Sequence, residues 1–132
     1  MVARGEVLLD PSFTYAEGNV ADKRIICLSE SSKQPSCVLV PVTKQQRQKL
    51  AVRGCHRTGS YFYIPAGESQ CFEVNTWVQL DAADLMLSST IERRLTSGSL
   101  RSICTIKRKL VDEIVLCALQ CDDFNPLYPG FM

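Results

Sequence analysis

The chain has 132 residues, a formal net charge of +1, 45% apolar residues and 22% charged residues. These values suit one globular domain, residues 1–132, and exclude a disordered, collagen-like or polycationic chain. No stretch has the apolar length of a membrane span, and Met1 to Glu6 lacks the apolar run of a secretory leader. A cytoplasmic protein with no membrane contact is therefore expected.

Taken in chain order, Gly5 to Asp10 reads as a first short strand that Pro11 ends, since proline cannot donate to a ladder. Ser12 to Asp22 reads as a loop, with turn chemistry at Gly18-Asn19. Ile25 to Leu28 and Val38 to Val42 are near-continuous apolar runs separated by the polar turn Glu30 to Ser36. They pair as an antiparallel hairpin, buried on both faces or wrapped into a small closed barrel. Arg24 opens the first run and Thr43 closes the second, so both belong at the open end of the hairpin. Lys44 to Thr58 is basic and Gln-rich, with one helical turn expected over Gln45 to Ala51 and a break at Gly54. Tyr61 to Ile64 is an aromatic strand, and Cys71 to Asp81 gives one or two more, kinked at Asn75-Thr76.

Ser89-Thr90-Ile91-Glu92 has the pattern of a capping box, opening a short helix that Gly98 closes. Leu100 to Ile106 is a further strand. Leu110, Val111, Ile114, Val115, Ala118 and Leu119 recur at helical spacing, predicting an amphipathic helix from about Lys107 to Cys121 over one end of the barrel. Residues 122–132 read as an extended tail. This order is mainly β with α additions: a small antiparallel β-barrel carrying a C-terminal amphipathic helix.

Seven cysteines, an odd number without a CxxC, lie mostly in apolar runs and are expected to be reduced. Cys117 and Cys121 sit four apart on the predicted helix, but with one His in the chain and no second close Cys pair, no metal or other cofactor is expected. A Cys55–His56 nucleophile pair is disfavoured because neighbours on a strand point to opposite faces.

Charge is unevenly spread. Between Ser31 and Gly67 there is no Asp or Glu, while Lys33, Lys44, Arg47, Lys49, Arg53 and Arg57 fall in that window with His56. Such a segment attracts an anion where the chain as a whole does not. A guanidinium beside a hydroxyl, as Arg24 and Thr43 would form, suits a phosphate.

Gly-Glu-Val-Leu-Leu, then Phe-Thr and a Gly-containing loop, then Lys-Arg with an apolar run ending in Ser, then Val-Leu-Val-Pro-Val-Thr, together resemble the MazF/PemK family of toxin endoribonucleases. The resemblance covers residues 4 to 44 well and runs more loosely to the final helix. It implies an SH3-like barrel, usually a homodimer, that cleaves single-stranded RNA without a metal and is neutralised by an antitoxin, expected here as an acidic, partly disordered segment. The family's catalytic Arg falls on Arg24 and its catalytic Thr on Thr43. Ile25 stands where the family commonly has Pro, and Lys44 where a small or hydroxylated residue is frequent. His56 is a candidate general acid or base. Lys44, Arg47, Lys49, Arg53 and Arg57 are candidates for the RNA backbone, and Tyr15, Tyr61, Phe62, Tyr63 and Trp77 for base stacking. A non-catalytic SH3-like module that binds nucleic acid or a protein is the alternative.

Overall fold

The computed structural model describes residues 1–14 and 20–132, with side chains described outside 13–21. Its strands are β1 (Glu6–Thr14), β2 (Val20–Cys27), β3 (Ser36–Thr43), β4 (Gly54–His56), β5 (Tyr61–Ile64), β6 (Thr76–Gln79), β7 (Asp84–Leu87) and β8 (Arg101–Thr105). Two helices follow β7 and β8 respectively: α1 (Ser88–Ser97) and α2 (Arg108–Gln120). The strands form one antiparallel sheet in the order β4-β5-β6-β3-β2-β1-β8, with β7 also paired to β3. The protein is mainly β with α additions.

β3 is the hub. It pairs with β2 along one edge through Ile25↔Pro41, Ile26↔Val40 and Cys27↔Leu39. Along the other edge it changes partner: Ser36 to Leu39 face β7, and Val42 and Thr43 face β6. Pro41 lies at this changeover, where its missing N–H removes no rung from either ladder. The expected burial of the hairpin on both faces is observed. Val7, Ile26, Val38, Val40 and Val42 turn toward the main core with Phe62, Val78 and Ile114. Leu8, Ile25, Cys27, Cys37 and Leu39 turn the other way, under Ile91 of α1 and Leu100.

Several expectations are corrected. Pro11 does not end β1; a register shift between Asp10 and Phe13 absorbs it, and the Ser12 N–H donates to Asp10 Oδ1 at 3.0 Å. Residues 45–51 form no helix, because the Leu50 backbone is drawn across Tyr61 and Trp77 instead. The strand over Cys71 to Asp81 is reduced to β6, preceded by a turn in which Ser69 bridges Phe72.

The capping box does not form. Glu92 instead accepts from Ser31 Oγ at 2.7 Å and lies 3.2 Å from the N-terminal amine, ties that hold α1 to the start of the chain. Gly98 does close α1, at φ 83°. The amphipathic helix appears as α2, but its buried stripe is Leu110, Val111, Ile114, Cys117 and Ala118; Leu119 is 53% exposed. The tail is not simply extended: Phe124 is buried, and a 3-10 turn over Tyr128–Phe131 brings the Phe131 carbonyl to the Ser29 hydroxyl.

The cysteines are not all reduced. Cys55 in β4 is bonded to Cys117 in α2, and Cys71 is bonded to Cys104 in β8, while Cys27, Cys37 and Cys121 are free and buried. The paired residues are 62 and 33 positions apart, so only the folded chain brings them together. Among the described residues, no helix is long and apolar enough to cross a membrane.

Candidate functional site

The registers on either side of β1 build the site. Leu9 pairs with Arg24 in β2 and with Arg101 in β8. Residues directly opposite across adjacent strands share a face, so two guanidinium side chains flank one leucine, separated by two strand spacings, roughly 10 Å. Val7 and Ile26, two residues along from Leu9 and Arg24 on that face, belong to the main core. Arg24 therefore stands where the apolar interior gives way to solvent.

A cleft of about 820 Å³ opens there. Its lining includes the cations Lys23, Arg24, Lys44 and Arg101, the acids Asp22 and Glu73, and the hydroxyl residues Thr43 and Thr76. Gln45 and Gln70 add amides, and the Cys71–Cys104 disulfide lies in the wall. Among the described residues of the lining, cations outnumber acids by four to two, which favours an anionic ligand. A second hollow, about 470 Å³, has Asp81 and Asp123 in its lining and, among the described residues, no cation.

Arg24 is exposed, and one of its N–H groups reaches the Cys71 carbonyl at 3.5 Å, leaving further donors of the guanidinium. Thr43 Oγ1 accepts from the Gln45 N–H at 3.1 Å, so its own O–H can still donate to a ligand. The Ile25↔Pro41 pairing sets Arg24 level with Val42, one residue short of Thr43. Arg24 and Thr43 thus share the cleft without being directly opposed.

Sequence reasoning missed Lys23 and Arg101. Lys23 is buried and donates to Gln79 Oε1 at 3.2 Å; burial first, then the neighbouring Lys49, lowers its pKa. Its signal was adjacency to Arg24. Arg101 carried no local signal, because its place depends on the β1–β8 register.

The remaining sequence candidates fare unequally. Lys44 lines the cleft. Lys49 lies close enough to Lys23 to repel its charge. Arg47 is an exposed turn residue at φ 34°. Arg57 stands 4.0 Å from Asp122. His56 is outside the cleft: its ring stacks on Tyr61 at 4.5 Å, and Nε2 meets the Val52 carbonyl at 2.7 Å. Tyr15 lies outside the described residues. Tyr61, Phe62, Tyr63 and Trp77 are all buried, at 6%, 2%, 5% and 2% exposure, and offer no stacking surface. Their hydrophobic area went into the core and into a tight group of Tyr61, Tyr63 and Trp77.

No protein-family model matches the chain, and no curated protein matches it either.

Arg53 has a structural role. Its guanidinium contacts Glu113 at 2.6 Å and Glu68 at 2.8 Å and lies 5.6 Å from the centre of the Phe62 ring. The Arg53 hydrogen bond holds the Glu113 carboxyl below its ordinary pKa. A carboxyl depressed in the folded state stabilises fully above the unfolded value of 4.5, and that stabilisation is lost as the pH falls through the folded value. Arg53→Ala is expected to lower stability by about 1 kcal/mol at neutral pH, since both pairs are solvent-facing. The deficit should shrink in denaturation curves recorded below pH 4.5.

Proposed function

We propose that this protein is a MazF/PemK-like endoribonuclease with an SH3-like barrel, acting on single-stranded RNA without a metal. The observation that supports the reading best is the shared cleft of Arg24 and Thr43, the two positions on which the resemblance places the chemistry, with Lys44 and Arg101 beside them. A phosphodiester fits a site rich in guanidinium donors.

In the proposed reaction the substrate's 2′-hydroxyl attacks the adjacent phosphorus. The new 2′-O–P bond closes a cyclic phosphate as the P–O5′ bond breaks. Arg24 and Arg101 stabilise the charge developing on the phosphorane oxygens, and the Thr43 hydroxyl holds one of those oxygens. Asp22 and Glu73 are the carboxylates in the lining able to accept the 2′-hydroxyl proton. Lys23, its pKa lowered by burial, is a readier proton donor to the leaving 5′-oxygen than an ordinary lysine. An acidic, partly disordered antitoxin segment would neutralise the enzyme by covering these cations, and a homodimer is the proposed assembly. In a cytoplasm, where thiols are kept reduced, the two disulfides would stand as dithiols.

One observation favours a second reading, binding without cleavage: among the described residues the cleft is lined by no imidazole. Labelled single-stranded RNA incubated in chelator with wild type, Arg24→Ala and Thr43→Ala decides between them. Cleavage by wild type alone supports the enzyme. Binding without cleavage by any of the three supports the second reading, and the absence of both overturns the pair.

RNA affinity should also depend on salt. If two to four of the lining cations meet phosphates, log K against log salt should slope at roughly −1.5 to −3. Arg101→Ala should flatten that slope by about 0.7. A flat wild-type response measured by fluorescence anisotropy would remove the RNA backbone from the cleft.

A further inference from the structure

We propose that, once the Cys55–Cys117 disulfide is reduced, Cys55, Cys117 and Cys121 become a three-sulfur binding site for a thiophilic divalent metal ion of the zinc type. The sulfurs of these residues all lie within 4.8 Å of one another. Cys117 and Cys121 are one helical turn apart at the C-terminal end of α2, which puts both on one side of it. β4 brings in Cys55 from the sheet, beside that same side of α2.

The spacing suits coordination. Sulfurs held ~2.3 Å from a tetrahedral zinc stand about 3.8 Å apart. Cys117 Sγ and Cys121 Sγ are 3.7 Å apart. Only Cys55 must withdraw from its bonded position, and it is the exposed member of the three, on a three-residue strand. Its exposure also gives the ion a way in and leaves a fourth position for water. The buried Cys27 and Cys37 offer just two sulfurs, and Cys71 and Cys104 likewise form only a pair.

The chemistry balances with a thiol reductant. Two RSH molecules give up two electrons and two protons to the Cys55–Cys117 bond, producing two cysteine thiols and RSSR. The ion then displaces a proton from each of the three thiols, including Cys121, which takes no part in the disulfide. The site is closed in the oxidised protein and open in the reduced one. It does not depend on the RNA reading.

The test uses the full chain, reduced anaerobically with a phosphine and titrated with Co(II). Reduced wild type should take up one equivalent and develop thiolate-to-cobalt charge-transfer absorption, which Zn(II) then abolishes. Oxidised wild type, Cys55→Ser and Cys121→Ser should lack the band, and Cys27→Ser should keep it. In wild type, added Zn(II) should slow alkylation of Cys55 about tenfold or more, because a metal-bound thiolate is a poor nucleophile, and this readout needs no variant. Absence of the band in reduced wild type, its survival in Cys121→Ser, or unchanged Cys55 alkylation overturns the proposal. Loss of the folded far-UV spectrum on reduction overturns it too, since the three sulfurs converge only through the fold.

Discussion

If the protein cleaves RNA as proposed, Arg24→Ala is expected to lower the single-turnover rate by about 10²–10³-fold, the usual effect of deleting one preorganised hydrogen-bond donor from a transition state. The reason lies in its position. Arg24 stands at the edge of the interior face, exposed, with one donor on the Cys71 carbonyl and the rest of its fork available to a phosphate. Among the described residues its one side-chain hydrogen bond is long, so the variant should unfold within about 0.5 kcal/mol of wild type. Rate and stability therefore separate. Arg24→Lys should recover part of the rate, since it keeps the charge but loses the planar fork. A variant that cleaves at the wild-type rate would remove Arg24 from the chemistry. One that fails only because it no longer folds would show that the Cys71 contact had been its main role.

The largest stability effect is expected from the disulfides. Closing loops of 62 and 33 residues restricts the unfolded chain, and the chain-entropy relation gives about 4 kcal/mol for each. Replacing Cys71 and Cys104 together with Ala should lower the melting temperature by roughly 10–20 °C for a chain of this size. The matching double replacement of Cys55 and Cys117 should do at least as much. Calorimetry with and without reductant checks this: reductant should lower wild-type stability below that of either double variant, toward that of a variant with Cys55, Cys71, Cys104 and Cys117 all replaced, which reductant leaves unmoved. If reductant leaves the wild-type transition in place, the bonds add nothing to stability.

The parts of the fold legible in the sequence are those set by local patterning. The hairpin of β2 and β3, β8, the closing Gly98 and α2 follow from apolar period and one left-handed position. What was not legible depends on pairing between distant residues. Glu92 looked like a capping residue but found Ser31 and the N-terminal amine, stronger partners that only the fold supplies. Pro11 looked like a stop, yet a bulge tolerates it. In the site, Arg24 and Thr43 could be named from the order of motifs and Lys44 from the acid-free basic window, and all three line the cleft. Arg101 could not, because its place rests on the register of β8 against β1. Arg53 misled for a related reason: a window free of acids in sequence is not free of them in space, and Glu113 and Glu68 arrive from elsewhere to take its charge.

The positions of the two disulfides also bear on how the molecule behaves at high concentration. The path of the sheet runs from β4 to β8, and each of these terminal strands carries a bonded cysteine, Cys55 and Cys104. Terminal strands are where a sheet frays and where unpaired backbone can recruit another chain into edge-to-edge association. Here each is fastened, one to a helix and one to the turn before β6. Oxidation state should thus bear on colloidal behaviour as well as on unfolding: the bonded form holds these two terminal strands covalently as well as by their ladders, and the reduced form holds them by the β4–β5 and β1–β8 ladders alone.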